Sequence, residues 1–441
     1  MTVSDFIDGA RFRGVVRRVP ILCGMLMLIE GMDTYGVGYV SPALMQEYGI
    51  APSTMGMIHT GTVVASLIGA VAIAPLADRF GRRPVLVLSS IMMGICTLLT
   101  ASAGSELLLV IVRFLIGIGF GAAVPTAFSL VSDFAPTRHK SLIIMSTMAG
   151  IALGMALAGV IAALLIPLFG WRSLLLFSGV LSLIWTLLLF VTLPESPSFL
   201  LDRFPAADRT RELLMRLAKD RGEIGFPALR SGDNRTASNP LRETFSNGRL
   251  FGSLFLWVAM SAAYALEFFT SYWLPTVLLT TGADIFSAGL ITALGKLGSI
   301  SGAVLIGMTM DKLGAGRVLV YAYLLAAIAI IALGGLTSSA TLSICLLVLM
   351  FFFLDGSFAG IQALTASTFP AHVRATGVGW VSGLARLFGG GAGTLLGGYL
   401  IENGLETHII AIGMAIVMVI GALAIRLKAG SRVRFLGRPA G

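Results

Sequence analysis

What this sequence lacks narrows it before anything it contains. Only 12% of its 441 residues are charged, about half the share found in an average globular domain. The three cysteines, Cys23, Cys96 and Cys345, form an odd count scattered through apolar runs. No disulfide framework or metal spacing is expected, and the thiols read as small apolar packing residues. There is no P-loop, no His-Glu-x-x-His and no Gly-x-Ser-x-Gly. The expectation is therefore no enzyme, no cofactor and no direct ATP drive within the chain. The apolar segments also lack the polar stripe of a soluble amphipathic helix.

What is present is length and hydrophobicity. Apolar residues make up 56% of the chain, in runs of about 20 residues that can each cross a hydrocarbon core of roughly 30 Å as a helix. The spacing predicts an all-α membrane protein with spans at 19–41, 53–76, 84–103, 106–131, 141–166 and 172–193, and again at 251–279, 285–310, 317–336, 341–368, 375–401 and 407–427. The first run contains Glu30 and Asp33 and precedes eleven others, so it reads as a retained span rather than a cleaved signal. Loops are short except for 194–250, which is charged, contains Pro194, Pro197, Pro205, Pro227 and Pro240, and includes an amphipathic piece near Asp208–Lys219. The expected organisation is an N-terminal six-helix bundle, 1–193, a cytoplasmic linker, 194–250, and a C-terminal six-helix bundle with a tail, 251–441.

Basic residues set the expected orientation. With the N-terminus in the cytoplasm, all but four of the 31 Lys and Arg fall on that side. The exceptions are Arg172 at an outer end and Arg113, Lys296 and Arg386 inside spans. This pattern places both termini in the cytoplasm of an inner-membrane protein. The formal net charge of +9 then needs no nucleic-acid partner, because the basic face borders an anionic leaflet.

The halves repeat. Asp78-Arg79-Phe80-Gly81-Arg82-Arg83 follows span 2, and Asp311-Lys312-Leu313-Gly314-Ala315-Gly316-Arg317 follows span 8, 233 residues later. Phe134-Ala135-Pro136-Thr137-Arg138 follows span 4, and Phe369-Pro370-Ala371-His372-Val373-Arg374 follows span 10, with Arg138 and Arg374 separated by 236. Parallel repeats of six spans are one transporter plan, with the substrate held between the halves near the midplane.

These loops, Arg113 before Gly117 and Gly119, and Pro194-Glu195-Ser196-Pro197 after span 6 resemble the major facilitator superfamily over nearly the whole chain. Glu30-Gly31-Met32-Asp33-Thr34, Trp273-Leu274-Pro275-Thr276 and the stretch from Arg374 through Trp380 to Arg386 are similar to the aromatic acid:proton symporters within it. Lys296 lies outside that pattern. The resemblance implies the twelve-helix fold, alternating access, and spans 3, 6, 9 and 12 outside the substrate path. It also implies proton-coupled uptake of a small aromatic or related carboxylate by a monomer. Another solute remains open, since Pro194-Glu195-Ser196-Pro197 is also similar to sugar porters, and so does proton-driven export.

Seven ionisable residues fall inside spans: Glu30, Asp33, Arg113, Glu267, Lys296, Asp355 and Arg386. Each is costly there and is a candidate for function. None lies in spans 3, 6, 9 or 12. Glu30 and Asp33, three residues apart, share a helix face. Two close acids held out of water resist ionising together, so one can carry a proton. The resemblance gives Arg113 a part in proton transfer or substrate access; pairing with an acid of span 1 is the alternative. Lys296 and Arg386 can attract a substrate carboxylate, Arg through its planar fork, or can balance Glu267 and Asp355 or bridge to Glu30 and Asp33. Tyr35, Tyr39, Tyr264, Phe269, Tyr272 and Trp273 offer surface for a ring or simply pack. Gln362 can bond a ring hydroxyl. His59 in span 2 is a titratable candidate or a packed histidine. The loop residues Asp78, Arg79, Gly81, Arg82, Asp311, Gly314 and Arg317 are candidate gating latches, with Asp133 and Arg138 as expected partners.

Overall fold

The structure is a computed structural model that describes residues 3–8, 13–205, 207–221, 249–280, 282, 284–335, 340–369 and 374–436. Every predicted span coincides with a long helix: α1 Gly14–Tyr48, α2 Pro52–Phe80, α3 Arg82–Ala101, α4 Glu106–Phe134, α5 Lys140–Phe169, α6 Arg172–Thr192, α7 Arg249–Thr280, α8 Ile285–Leu313, α9 Ala315–Gly335, α10 Ala340–Thr368, α11 374–402 and α12 Thr407–Leu436. Among the described residues, ten of these are long and apolar enough to cross a membrane; α1 and α11 stand outside that ten. A π-turn at Gly69–Ile73 interrupts α2, and another at Arg386–Gly390 interrupts α11.

Solvation is inverted relative to a soluble protein. Leu187, Val191, Leu168, Ile328 and Leu423 are exposed, whereas Glu30 and Asp33 are 0% and 1% exposed. Such a surface is stable only against hydrocarbon. The structure is that of a multi-pass membrane protein.

The two loop repeats fold alike. Gly81 alone separates α2 from α3, and Gly314 alone separates α8 from α9. Their φ angles are +104° and +90°, a region in which a Cβ is strained. The turn chemistry read from the repeat is therefore present in both halves.

Chain packing divides the molecule into two compact units. The first holds Met1–Gly36, Val64–Ala158 and Phe169–Arg235. At its basic end, Phe6, Val16, Val19, Phe134, Ile143, Leu200, Leu213 and Leu217 form one apolar cluster. The helix Asp208–Arg221, expected as part of a linker, thus docks through Leu213, Leu214, Leu217 and Ala218. Its Asp220 accepts a 2.8 Å hydrogen bond from the Val15 amide and so caps α1 from a distance. Asp8 accepts from the amide and hydroxyl of Thr137 at 2.6 and 2.7 Å. Removing the cap with Asp220→Ala is expected to lower stability by about 1 kcal/mol, the usual worth of an N-cap. Thermal unfolding in detergent checks this, and Asp220→Asn, which keeps an acceptor, should recover most of the loss.

The second unit holds Val37–Val63, Gly159–Leu168 and Thr236–Gly441. Within it, the ends of α1, α2 and α5 pack on α7, α8 and α11. The Ser41 hydroxyl donates to the Val37 carbonyl at 2.8 Å and lies 3.2 Å from His59 Nε2. The His59 ring stacks on Tyr272, with centroids 4.4 Å apart. Thr60 and Thr394 hydroxyls meet at 2.8 Å, and the Ser53 amide donates to Glu402 at 3.0 Å. His59 is therefore a packed histidine here, the second of its two readings. The remainder of the expected 194–250 linker, from 222 to 248, lies outside the described residues, as do Pro370–Val373 of the second Phe-Pro loop.

Candidate functional site

In the first unit the acidic pair of α1 sits against α3, α4 and α6. Gly31 sets this placement: a Cβ there would stand 2.5 Å from the Ile151 carbonyl oxygen of α5. Only glycine lets the two helices touch at that level, and the contact fixes which face of α1 carries the acids. Asp33 accepts from the Thr97 hydroxyl at 2.5 Å and the Ser178 hydroxyl at 3.4 Å, within the field of Arg113. Glu30 is as deeply buried, but among the described residues neither of its carboxyl oxygens accepts a hydrogen bond within normal distance. Ser90 and Asp33 are close enough to act on it. Arg113, 1% exposed, is the cation of this cluster.

Sequence reasoning missed Ser90, Thr97 and Ser178. They lie in α3 and α6, helices expected to stand outside the substrate path. Their only signal is a hydroxyl in an apolar span, which is a weak one because such hydroxyls usually bond their own helix, as Thr100 does with the Cys96 carbonyl at 2.8 Å.

In the second unit Lys296 of α8 bridges two carboxylates. Its Nζ is 3.2 Å from Glu267 of α7 and 3.0 Å from Asp355 of α10. The Ser299 hydroxyl donates a close hydrogen bond to the same Asp355 oxygen, and Ser271 donates to Glu267 at 3.4 Å. Nζ also lies 4.4 Å from the centroid of the Phe351 ring. Lys296 is thus engaged by Glu267 and Asp355 in this geometry.

One step away, Arg386 opens the π-turn of α11, with its guanidinium 5.6 Å from the Phe268 ring centroid. Gln362 accepts from Ser382 at 3.3 Å and reaches the Tyr264 hydroxyl at 3.5 Å. Tyr264 packs edge-on against Phe358, with centroids 4.8 Å apart. Arg386 and Gln362 are only half-buried, so this group of a cation, an amide and aromatic rings can meet a small polar aromatic molecule. Trp273 is different. It is fully buried and donates to the Thr394 carbonyl at 2.8 Å. It packs here rather than offering a free face. Tyr35 packs edge-on to Phe120, with centroids 6.3 Å apart, and Tyr39 lies against Gly159 and Thr292.

The loop residues of the first repeat form a knot at the basic end. Arg82 meets Asp133 at 2.6 Å and Asp78 at 3.5 Å. It also donates to Ser129 at 3.0 Å and Ser196 at 2.6 Å. Glu195 accepts from the backbone amides of Arg82 and Arg83 at 2.9 and 3.3 Å. The cation that joins Asp78 and Asp133 is thus Arg82, not Arg138, because the one-residue turn at Gly81 brings the start of α3 against the end of α4. Arg79 lies over its neighbour Phe80, and Arg138 is exposed. In the second repeat Asp311 and Arg317 are exposed on either side of Gly314. Glu195 and Ser196 were legible only as part of a familiar tetrad; their partners were not.

Comparison with known proteins agrees with this architecture. The sequence is 32% identical over 430 residues to the 4-hydroxybenzoate transporter PcaK of Pseudomonas aeruginosa, covering 97% of this chain and 96% of the relative. It is 34% identical to the PcaK of Pseudomonas putida, covering 95% of each chain, and 33% identical to a gallate transporter of Pseudomonas putida, covering 98% and 96%. Among solved structures, a bacterial homolog of the human lysosomal transporter Spinster superposes with a TM-score of 0.72 at 17% identity, covering 97% of this chain and 100% of that one. A D-xylose–proton symporter superposes with a TM-score of 0.69 at 18% identity, covering 94% and 97%. The profile of the Major Facilitator Superfamily matches residues 23–394 and again 256–439. The first match spans both the Gly81 and the Gly314 turn, and the chain is a transporter belonging to the Major Facilitator Superfamily.

Proposed function

We propose that this chain takes a small aromatic or related carboxylate, such as a hydroxybenzoate, into the cell together with protons. The observation that carries the substrate class is the identity of 32–34% with two 4-hydroxybenzoate transporters over nearly the full length. Lys296 is already held between two carboxylates, so Arg386, with Gln362 and Tyr264 beside it, is the group assigned to the substrate carboxylate and ring. Proton coupling is assigned to Asp33 and Glu30, with Arg113 as the charge that responds to them. A buried acid favours its neutral, protonated form, and binding and releasing that proton once per cycle is the chemistry a symporter needs.

The protein is placed in the inner membrane as a monomer with both termini in the cytoplasm, in accord with the distribution of Lys and Arg. The Arg82 knot then lies on the cytoplasmic side, where its ion pairs can break and re-form as the two repeats move. Purified protein in vesicles tests the substrate and the coupling together. With an inward proton gradient, labelled 4-hydroxybenzoate is expected to accumulate, to alkalinise the outside, and to leak away on adding a protonophore. Glucose uptake without carboxylate uptake would sink the proposal.

A further inference from the structure

The triad around Lys296 does not balance by itself. Lys296 supplies one positive charge to Glu267 and Asp355, both within 3.2 Å of its Nζ. Glu267 and Lys296 are 9% and 4% exposed, and the Phe351 ring covers the ammonium. Two carboxylates against one ammonium leave a net charge of −1 in an apolar helix bundle. Among the described residues, the other ionisable groups on the packed faces do not offset it at contact distance. Tyr264, on the same helix as Glu267, is neutral near pH 7. Arg386 of α11 lies over Phe268 and acts on Tyr264. Tyr39 of α1 faces α8 at Thr292. The charged groups acting on Glu267 itself are Asp355 and Lys296.

We propose that Glu267 is a second proton site, holding one proton beside the Lys296–Asp355 ion pair and releasing it during transport. Geometry selects Glu267 over Asp355. Asp355 has the shorter contact with Lys296 and a close hydrogen bond from Ser299, the surroundings of a resident anion. Glu267 has the longer contact and only the 3.4 Å approach of Ser271, while among the described residues each of the two acids keeps one oxygen without a hydrogen-bond partner. With the proton in place the triad is neutral. Losing it as H+ leaves two carboxylates competing for one ammonium, and the triad carries −1. Two acids that close resist ionising together. No resemblance pointed to this site, because Lys296 lies outside the pattern of the aromatic acid symporters.

The transport consequence rests on the symport reading above; the protonation does not. A monoanion moving with one proton carries no net charge, whereas a second proton makes each inward cycle carry +1. An inside-negative potential of 100 mV is then worth up to about 50-fold in the accumulation ratio.

Two measurements on the full-length protein separate the claims. In substrate-free lipid vesicles near neutral pH, the infrared band of protonated carboxyl groups should fall by one carboxyl in Glu267→Gln. It should fall equally in Asp355→Asn, where Lys296 has a single anion left and Glu267 gives up its proton. An unchanged band in either variant overturns the proposal, whatever the protein transports. In vesicles without a pH gradient, a potassium diffusion potential should drive 4-hydroxybenzoate uptake by the wild type. Glu267→Gln should lose that response while still responding to a pH gradient. A wild type driven by the pH gradient but indifferent to potential overturns the second proton and leaves the symport reading intact. Absence of carboxylate uptake under any gradient overturns the symport reading, and the infrared result still decides Glu267.

Discussion

Asp33→Asn is expected to reduce proton-driven uptake of 4-hydroxybenzoate by on the order of tenfold or more, which corresponds to about 1.4 kcal/mol on the limiting barrier. Exchange of internal for external substrate, which needs no net proton movement, should persist. Asparagine keeps the size of the side chain, and its carbonyl can still accept from Thr97 and Ser178, which now bond Asp33 at 2.5 and 3.4 Å. What it cannot do is gain or lose a proton. Glu30 does not replace it, since Thr97 and Ser178 donate to Asp33, and an acid with such donors is the one stabilised as an anion once its proton has left. The measurement is substrate-induced alkalinisation in a weakly buffered suspension of vesicles, beside an exchange assay on the same preparation. Alkalinisation at the wild-type rate in Asp33→Asn would remove Asp33 from the coupling pathway.

The second large effect concerns stability. Lys296→Met should destabilise the protein by about 3–5 kcal/mol, the usual result of taking one partner from a buried ion pair. Methionine fills nearly the same volume, so the loss comes from Glu267 and Asp355, 3.2 and 3.0 Å from the missing ammonium. Glu267 and Asp355 then have no cation at contact, and the charge that Lys296 balanced is left unpaired. Protonating them relieves the conflict, so the destabilisation should be smaller at about pH 5 than at about pH 8. Removing all three charges in Lys296→Met/Glu267→Gln/Asp355→Asn should restore much of the stability while leaving transport impaired. Thermal unfolding in detergent reads both effects. Equal unfolding temperatures for the wild type and Lys296→Met at about pH 8 would show that the triad does not hold α7, α8 and α10 together.

The spans were legible because about 20 apolar residues in a row have few alternatives to a membrane helix, and Gly81 and Gly314 were legible because a one-residue turn with positive φ leaves glycine as the natural choice. The buried charges announced themselves by their cost in an apolar run. Their partners did not. Lys296 and Asp355 are 59 residues apart and Arg82 and Ser196 are 114 apart; sequence spacing says nothing about such pairings, which are decided by how helices rotate against one another. Arg138 was the plausible partner for Asp78 by loop position, yet the turn at Gly81 delivers Arg82 instead. The helix Asp208–Arg221 showed its amphipathic face in the sequence, but nothing there said that the face would be covered by Phe6, Val16 and Phe134. Hydroxyls such as Thr97 and Ser178 remain silent until a carboxylate is placed against them.

The burial of Asp33 has a consequence for how the chain is made. Synthesis delivers α1 before α3 and α6, and α1 carries two acids whose insertion at a helix centre is unfavourable by about 2.5–3.5 kcal/mol for an aspartate. Thr97 follows Asp33 by 64 residues and Ser178 by 145. At roughly 5–20 residues per second, α1 waits several seconds or more for the groups that solvate its carboxylate. The first helix is therefore a poor candidate for stable insertion by itself. It must linger at the exit of the insertion machinery, or slip back toward water, until α3 and α6 arrive, so that its insertion depends on residues not yet translated.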